Sequence, residues 1–216
     1  HLRAPSVVYT LLTALLVFLL GSRLSGRPET GLVAGLSFLA FFSTYRYGRP
    51  FLTNPPEVFW LFLPFFALLH WPKATTASRF VFPTLAGIAI GIGLLYKSFA
   101  LVVPVGIGLA GLYAHSRDDR SVPFLARDSW KVLITLSISL ALFGVWFLLD
   151  PDPGAVWREF VLGENVGKFD LPGGYLPRLL WGTSSLWSYA LGYPLNAGLL
   201  LFPVVARVGE VAEERP

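Results

Sequence analysis

The sequence predicts an all-α protein: a polytopic transmembrane helical bundle with one long outside loop that contains short interfacial helices. Three observations predict it. Hydrophobic residues make up 54% of the chain and charged residues only 14%, against about 25% charged in a typical soluble domain. The mean hydropathy is +0.61, and the charges gather between apolar blocks and leave the blocks almost clean. The blocks also lack the alternation of apolar and polar residues that a transmembrane barrel needs; "LLTALLVFLL" and "FWLFLPFFALL" do not alternate.

A spanning helix needs about 20 mostly apolar residues. The apolar segments are 6–21, 30–45, 56–71, 79–95, 98–114, 130–149 and 193–207, taken together as one transmembrane domain over 1–216. The shorter ones borrow residues from their flanks. The first follows a single arginine, Arg3, and no small-residue cleavage site comes after it, so it is read as a span and not as a leader. Gly31 with Gly35, and Gly87 with Gly91, have the small-xxx-small spacing that lets helices approach closely. Trp60, Trp71, Trp130 and Trp146 fall near segment ends, where aromatic belts sit. The chain starts at His1 and holds no methionine, so it is expected to be a piece of a longer or processed protein.

Topology follows from the basic loops. "HSRDDRSVPFLARDSWK" carries Arg117, Arg120, Arg127 and Lys131, the richest basic cluster, and the positive-inside rule places it in the cytoplasm. Alternation places "GSRLSGRPETG" and "HWPKATTASR" there too. It places "TYRYGRPFLTNPPE", the turn at Lys97 and the loop 150–192 outside. Inside regions then hold ten of the basic residues and outside regions seven, so the outside cations call for a reason. Within 150–192, Trp157, Phe160, Val161 and Val166 give a short helix one apolar face, and "YLPRLLWGTSSLWSYALGYP" gives a second element at interfacial depth.

Several chemistries are excluded. Without cysteine there is no disulfide, thiolate metal site or cysteine nucleophile. His70 and His115 end different segments and His1 is terminal, so no metal-ligand spacing exists. "GIAIGIGLLYKS" is not a phosphate loop, because Tyr96 stands where glycine must precede the lysine; "GENVGKF" has the wrong spacing. The basic residues are spread over membrane loops and form no stripe for nucleic acid.

Three clusters remain. Lys97 sits between "FVFPTLAGIAIGIG" and "ALVVPVGIGLAGLY". Ionisable residues at membrane depth tend to mark substrate or ion pathways; the plainer reading is a helix-turn lysine that snorkels to the headgroups. In "YRYGRPFLTNPPEVFW", Arg46 and Arg49 precede Asn54 and Glu57. The plainer reading there is a helix start, with Asn54 as N-cap, prolines in the first turn and Glu57 complementing the positive helix end. Such a terminus is also a ready anion site, and the arginines bring the planar donors that phosphate recognition uses. "WREFVLGENVGKFD" holds Arg158, Glu159, Glu164, Lys168 and Asp170, which read residue by residue as a solvated, self-paired helix.

The order of these pieces resembles the GT-C membrane glycosyltransferases, in particular the bacterial branch with aminoarabinose transferases and protein mannosyltransferases. Arg49-Pro50 with "LTNPPEVFWLF" resembles that family's short outside loop leading into an apolar helix. "GIAIGIGLLYKSFALVVPVGIGL" is similar to its paired helices around a Thr-Lys-Gly, and "WREFVLGENVGKFD" to its outside amphipathic helix. There are departures. Tyr96 and Ser98 replace the usual threonine and glycine, and Asn54 or Glu57 stands where aspartate is common. The family's catalytic aspartate belongs to a loop expected upstream of this chain.

The resemblance implies inverting transfer of a sugar from a polyprenyl-phosphate donor to a lipid, glycan or protein acceptor at the outer face of the cytoplasmic membrane. It implies a multi-pass protein there, surrounded by membrane lipids and without a nucleic-acid partner. It implies substrate-binding roles for Arg46, Arg49, Asn54, Glu57, Lys97, Glu164, Lys168 and Arg178. It names no certain cofactor and leaves a divalent metal open. Cations at the outer rim suit a phosphate leaving group, whose charge is the largest lever in such a reaction. The alternative is a transporter or flippase for a lipid-linked or anionic solute. A transporter more often shows broken or polar helices at mid-membrane, and most segments here are clean at that depth. A non-catalytic membrane scaffold is the third reading.

Overall fold

The apolar runs fold as helices whose ends are set by proline, glycine and short polar turns. The computed structural model describes residues 3–48, 50, 52–72, 78–97, 99–115 and 127–166, with 177, 180, 181, 185, 187, 188 and 190–192. Helix α1 (Ala4–Ser25) has proline in its first turn and stops at Gly26, whose φ of 68° is the left-handed conformation that glycine takes without strain. Helix α2 (Pro28–Ala40) opens on Pro28, with Glu29 in the first turn complementing the helix dipole. Helix α4 (Asn54–His70) follows a short α3 (Phe42–Tyr47). Helix α5 (Val81–Leu95), a 3₁₀ turn (Phe99–Leu101) and α6 (Val102–His115) flank Lys97. Helix α7 (Ser129–Leu149) leads to a short α8 (Pro153–Ala155), which continues as a π-helix over Val156–Val166. No strand occurs among the described residues. The apolar segment 193–207 lies outside them, as do 116–126 and most of 167–192.

Two details differ from the sequence reading. The segment 30–45 is not one helix: Phe41 takes φ −57°, ψ 133° and divides α2 from α3. No proline or glycine marks the break. It falls in a run of aromatic and hydroxyl residues, which are weaker helix formers than the leucines and alanines before them. Asn54 is not the N-cap of α4. Thr53 takes that position, and its side chain makes no capping hydrogen bond. Pro55 and Pro56 have already removed donors that a cap would satisfy.

Glycines set the helix contacts. A Cβ on Gly31 would overlap the Ser22 hydroxyl and the Phe18 carbonyl of α1, and one on Gly35 would stand 3.3 Å from the Ala14 carbonyl. Along α5, a Cβ on Gly87 would meet Ile138 and Thr135 at 2.8 Å, and one on Gly91 would meet Leu142 at 2.9 Å. Rising numbers on both helices show that α5 and α7 run parallel, with their C-termini at one end. Helices α4 and α5 touch where Gly93 faces Leu61 and Trp60. The core between α4, α5, α6 and α7 holds Leu68, Ile90, Leu94, Leu109, Tyr113 and Phe143. Helices α1 and α7 are long and apolar enough to cross a membrane; α5 and the 99–115 stretch are shorter and apolar. Their outward leucines are open, among them Leu15, Leu85, Leu133 and Leu148.

Lys131, counted in the sequence with the basic loop, is not an exposed loop residue. It lies buried in the first turn of α7, with its Nζ 3.0 Å from Asp128 and 5.5 Å from the centre of the Tyr113 ring.

Candidate functional site

One end of the bundle gathers the start of α1, α3, the start of α4 and the residues after α5. Ser6 and Thr10, one turn apart on α1, tie down the chain between α3 and α4. The Ser6 hydroxyl donates to the Leu52 carbonyl at 3.1 Å and accepts from the Leu52 N–H at 3.2 Å. Thr10 Oγ1 shares its proton between the Ser6 and Gly48 carbonyls, at 2.9 and 3.0 Å. Backbone and α1 approach so closely here that a Cβ on Gly48 would stand 2.6 Å from the Thr44 carbonyl and 2.8 Å from Thr10 Oγ1.

The tie leaves a cavity of about 220 Å³ between α1, α2, α3 and α4, lined by Thr10, Thr13, Thr44, Tyr47, Asn54 and Val58 among others. Hydroxyls and an amide facing an otherwise apolar wall suit a polar, multiply hydroxylated ligand. Beside it, Arg3, Val7, Arg46 and Pro50 line an open concavity of about 370 Å³. The Arg46 guanidinium lies 5.3 Å from the centre of the Tyr47 ring.

On the other flank of α1, Tyr9 is a hub. Its hydroxyl accepts from Trp60 Nε1 at 3.4 Å, and its ring lies 5.4 Å from Phe59 and 6.5 Å from Tyr96. Burial, together with the Tyr9 hydroxyl bonded to it, holds the Tyr96 phenol above its usual range. Lys97 follows, exposed, with its N–H on the Leu94 carbonyl at 3.2 Å. Glu57, in the first turn of α4, is buried.

Of the residues expected to bind substrate, Arg46, Asn54, Glu57 and Lys97 therefore lie at one end of the bundle. The parallel course of α5 and α7 puts Asp150 and the 153–166 helix at that end too. Glu164 belongs to this helix, its side chain outside the description; Arg49, Lys168 and Arg178 lie outside the described residues. Arg3, Tyr9 and Tyr96 join this end without a site signal in the sequence, where Arg3 is the flank of an apolar run and Tyr96 a departure from a threonine. No group of three or more His, Asp or Glu able to hold a metal lies among the described residues. The arrangement offers guanidinium groups beside a hydroxyl-lined cavity, with the Lys97 ammonium at the same end of the bundle, which suits a sugar joined to an anion.

The sequence profile of the dolichyl-phosphate-mannose-protein mannosyltransferase family matches residues 1–157. The chain belongs to that family. Among relatives of this mannosyltransferase-family chain are proteins named undecaprenyl phosphate-α-4-amino-4-deoxy-L-arabinose arabinosyl transferase. The one from Pseudomonas aeruginosa (strain LESB58) is 36% identical over 170 residues, covering 77% of this chain and 30% of the relative. The one from Edwardsiella ictaluri is 31% identical over 173 residues, covering 77% and 30%. The one from Pectobacterium carotovorum is 34% identical over 207 residues, covering 91% and 36%. The chain thus spans about a third of the length of the curated relatives it matches. No solved structure matches it significantly.

Proposed function

We propose that the protein transfers a sugar from a polyprenyl-phosphate donor to an acceptor at the outer face of the cytoplasmic membrane. The observation that carries the reading is the exposed Lys97 at the same end of the bundle as the Asn54 cavity and the Arg3–Arg46 concavity. In this account Lys97 meets the donor's phosphate and stabilises the charge that grows on it as the sugar–oxygen bond breaks. Arg46 and Arg49 add to the positive field. Asn54 and the threonine hydroxyls hold the sugar, and the open apolar helix faces accept the prenyl chain. Lys168 and Arg178 are assigned to the same phosphate-rich rim, and Glu164 to the substrate, on the resemblance alone. A carboxylate near the acceptor serves as the general base that takes its proton.

Two experiments test this. Membranes from cells expressing the protein receive undecaprenyl-phosphate aminoarabinose or polyprenyl-phosphate mannose, and free polyprenyl phosphate is measured. Its release together with sugar on an acceptor is the expected result. Movement of the intact donor between leaflets without release would favour the flippase reading and remove the enzyme. The second experiment tests topology, with 115–131 inside and 150–192 outside on a multi-pass bundle. In this cysteine-free chain, Gly154→Cys is expected to react with an impermeant thiol reagent in intact cells, and Arg127→Cys only after lysis. Labelling of Arg127→Cys in intact cells would invert the topology and separate the site from the outer face.

A further inference from the structure

We propose that the cavity at Asn54 takes a neutral sugar and discriminates against an amino sugar, with Asn54 as the residue that sets the choice. The inference rests on the proposed function and names the substrate class of that site; its test separates the two.

The cavity measures about 220 Å³, below the roughly 300–1,000 Å³ of sites for drug-sized ligands, which suits a single sugar ring. Its polar wall is uncharged. Thr10, Thr13, Ser43, Thr44 and Tyr47 bring hydroxyls and Asn54 brings an amide, and none of the described lining residues carries a charge. Glu57 is buried in the same turn of α4 as Asn54, yet it is not among those lining residues.

These groups match sugar hydroxyls. Thr10 and Thr13 give their protons to backbone carbonyls, Thr10 to Ser6 and Gly48, and Thr13 to Tyr9 at 2.9 Å. Their oxygens are left as acceptors, while the Asn54 amide both donates and accepts. A sugar hydroxyl that donates to a threonine and accepts from the amide is satisfied on both sides. An ammonium can donate to the same oxygens, but a cation taken out of water is costly unless an anion stands against it. The charged side chains described at the adjoining concavity are Arg3 and Arg46. The Arg46 guanidinium lies 5.3 Å from the ring centre of Tyr47, which lines the cavity. A guanidinium there favours an anion and repels an ammonium.

The plainer account is a packing gap where four helices meet. Dry gaps of that kind are apolar, whereas this cavity is bordered by five described hydroxyl residues and an amide.

The test uses four undecaprenyl-phosphate donors in two pairs: arabinose with 4-amino-4-deoxyarabinose, and mannose with 4-amino-4-deoxymannose. Within a pair the sugars differ only by a hydroxyl against an ammonium. Release of undecaprenyl phosphate gives kcat/KM in membranes holding wild type or Asn54→Asp, each with a melting curve. Wild type is expected to favour the hydroxyl sugar by about tenfold or more in the better pair, as for one charged group without its partner. The preference should shrink as the pH rises and the amine loses its proton. Asn54→Asp puts a carboxylate into the cavity at a helix start, where an acid is well placed. It should move the ratio about tenfold toward the ammonium sugar while the melting midpoint holds. Equal use of both sugars by wild type, or preference for the ammonium sugar, would overturn the proposal and leave the transfer reading intact. A preference that Asn54→Asp leaves unchanged would also overturn it and make the cavity a packing gap. Release from none of the four donors would remove the transfer reading, and the proposal with it.

Discussion

Lys131→Ala is expected to cost about 3–5 kcal/mol of stability, the usual penalty for breaking a buried ion pair from one side. The lysine and Asp128 side chains are 8% and 7% exposed and 3.0 Å apart. The ammonium also lies over the Tyr113 and Trp130 rings, at 5.5 and 5.9 Å. Alanine leaves the Asp128 carboxylate buried without its cation and opens a void beside Tyr113, whose own hydroxyl is buried and unbonded. Lys131→Met with Asp128→Asn removes both charges and keeps most of the volume, so it should recover a large part of the loss. Melting followed by tryptophan fluorescence reads both. An unchanged midpoint for Lys131→Ala would mean that the pair is solvated and structurally idle.

Lys131 and Lys97 look alike in the sequence. Each is a lysine bordering a long apolar run, and the tertiary neighbours separate them. Lys131 is enclosed because α6 brings Tyr113 across it; Lys97 is open because the chain turns between α5 and the 3₁₀ turn. Helices were legible because composition and proline–glycine punctuation are local properties. The division at Phe41 was not, because it carries no such mark. The Gly31–Gly35 and Gly87–Gly91 pairs announced close contacts, yet their spacing could not say that the first would meet α1 and the second α7. The same limit held at the site. Arg46, Asn54, Glu57 and Lys97 stood out by charge or by helix-start chemistry. Arg3, Tyr9 and Tyr96 entered only through folding, which carries the start of α1 to the turn after α5.

Lys97→Ala is expected to do the opposite of Lys131→Ala. It removes one charge-assisted contact to the donor's phosphate, worth about 1.5–3 kcal/mol. That is about ten- to a hundredfold in transfer efficiency, since each ~1.4 kcal/mol is tenfold. The side chain is exposed, so the melting midpoint should barely move. Lys97→Arg should recover part of the activity, because the charge survives while its geometry changes. A snorkelling helix-turn lysine gives the reverse pattern, with lower stability and near-normal transfer. The direct measurement is sugar transfer from a polyprenyl-phosphate donor at limiting concentration, run beside a melting curve for wild type and Lys97→Ala. The account predicts a loss of transfer with an unchanged midpoint. Wild-type transfer by Lys97→Ala at limiting donor would contradict it and leave Lys97 as a residue of the helix turn.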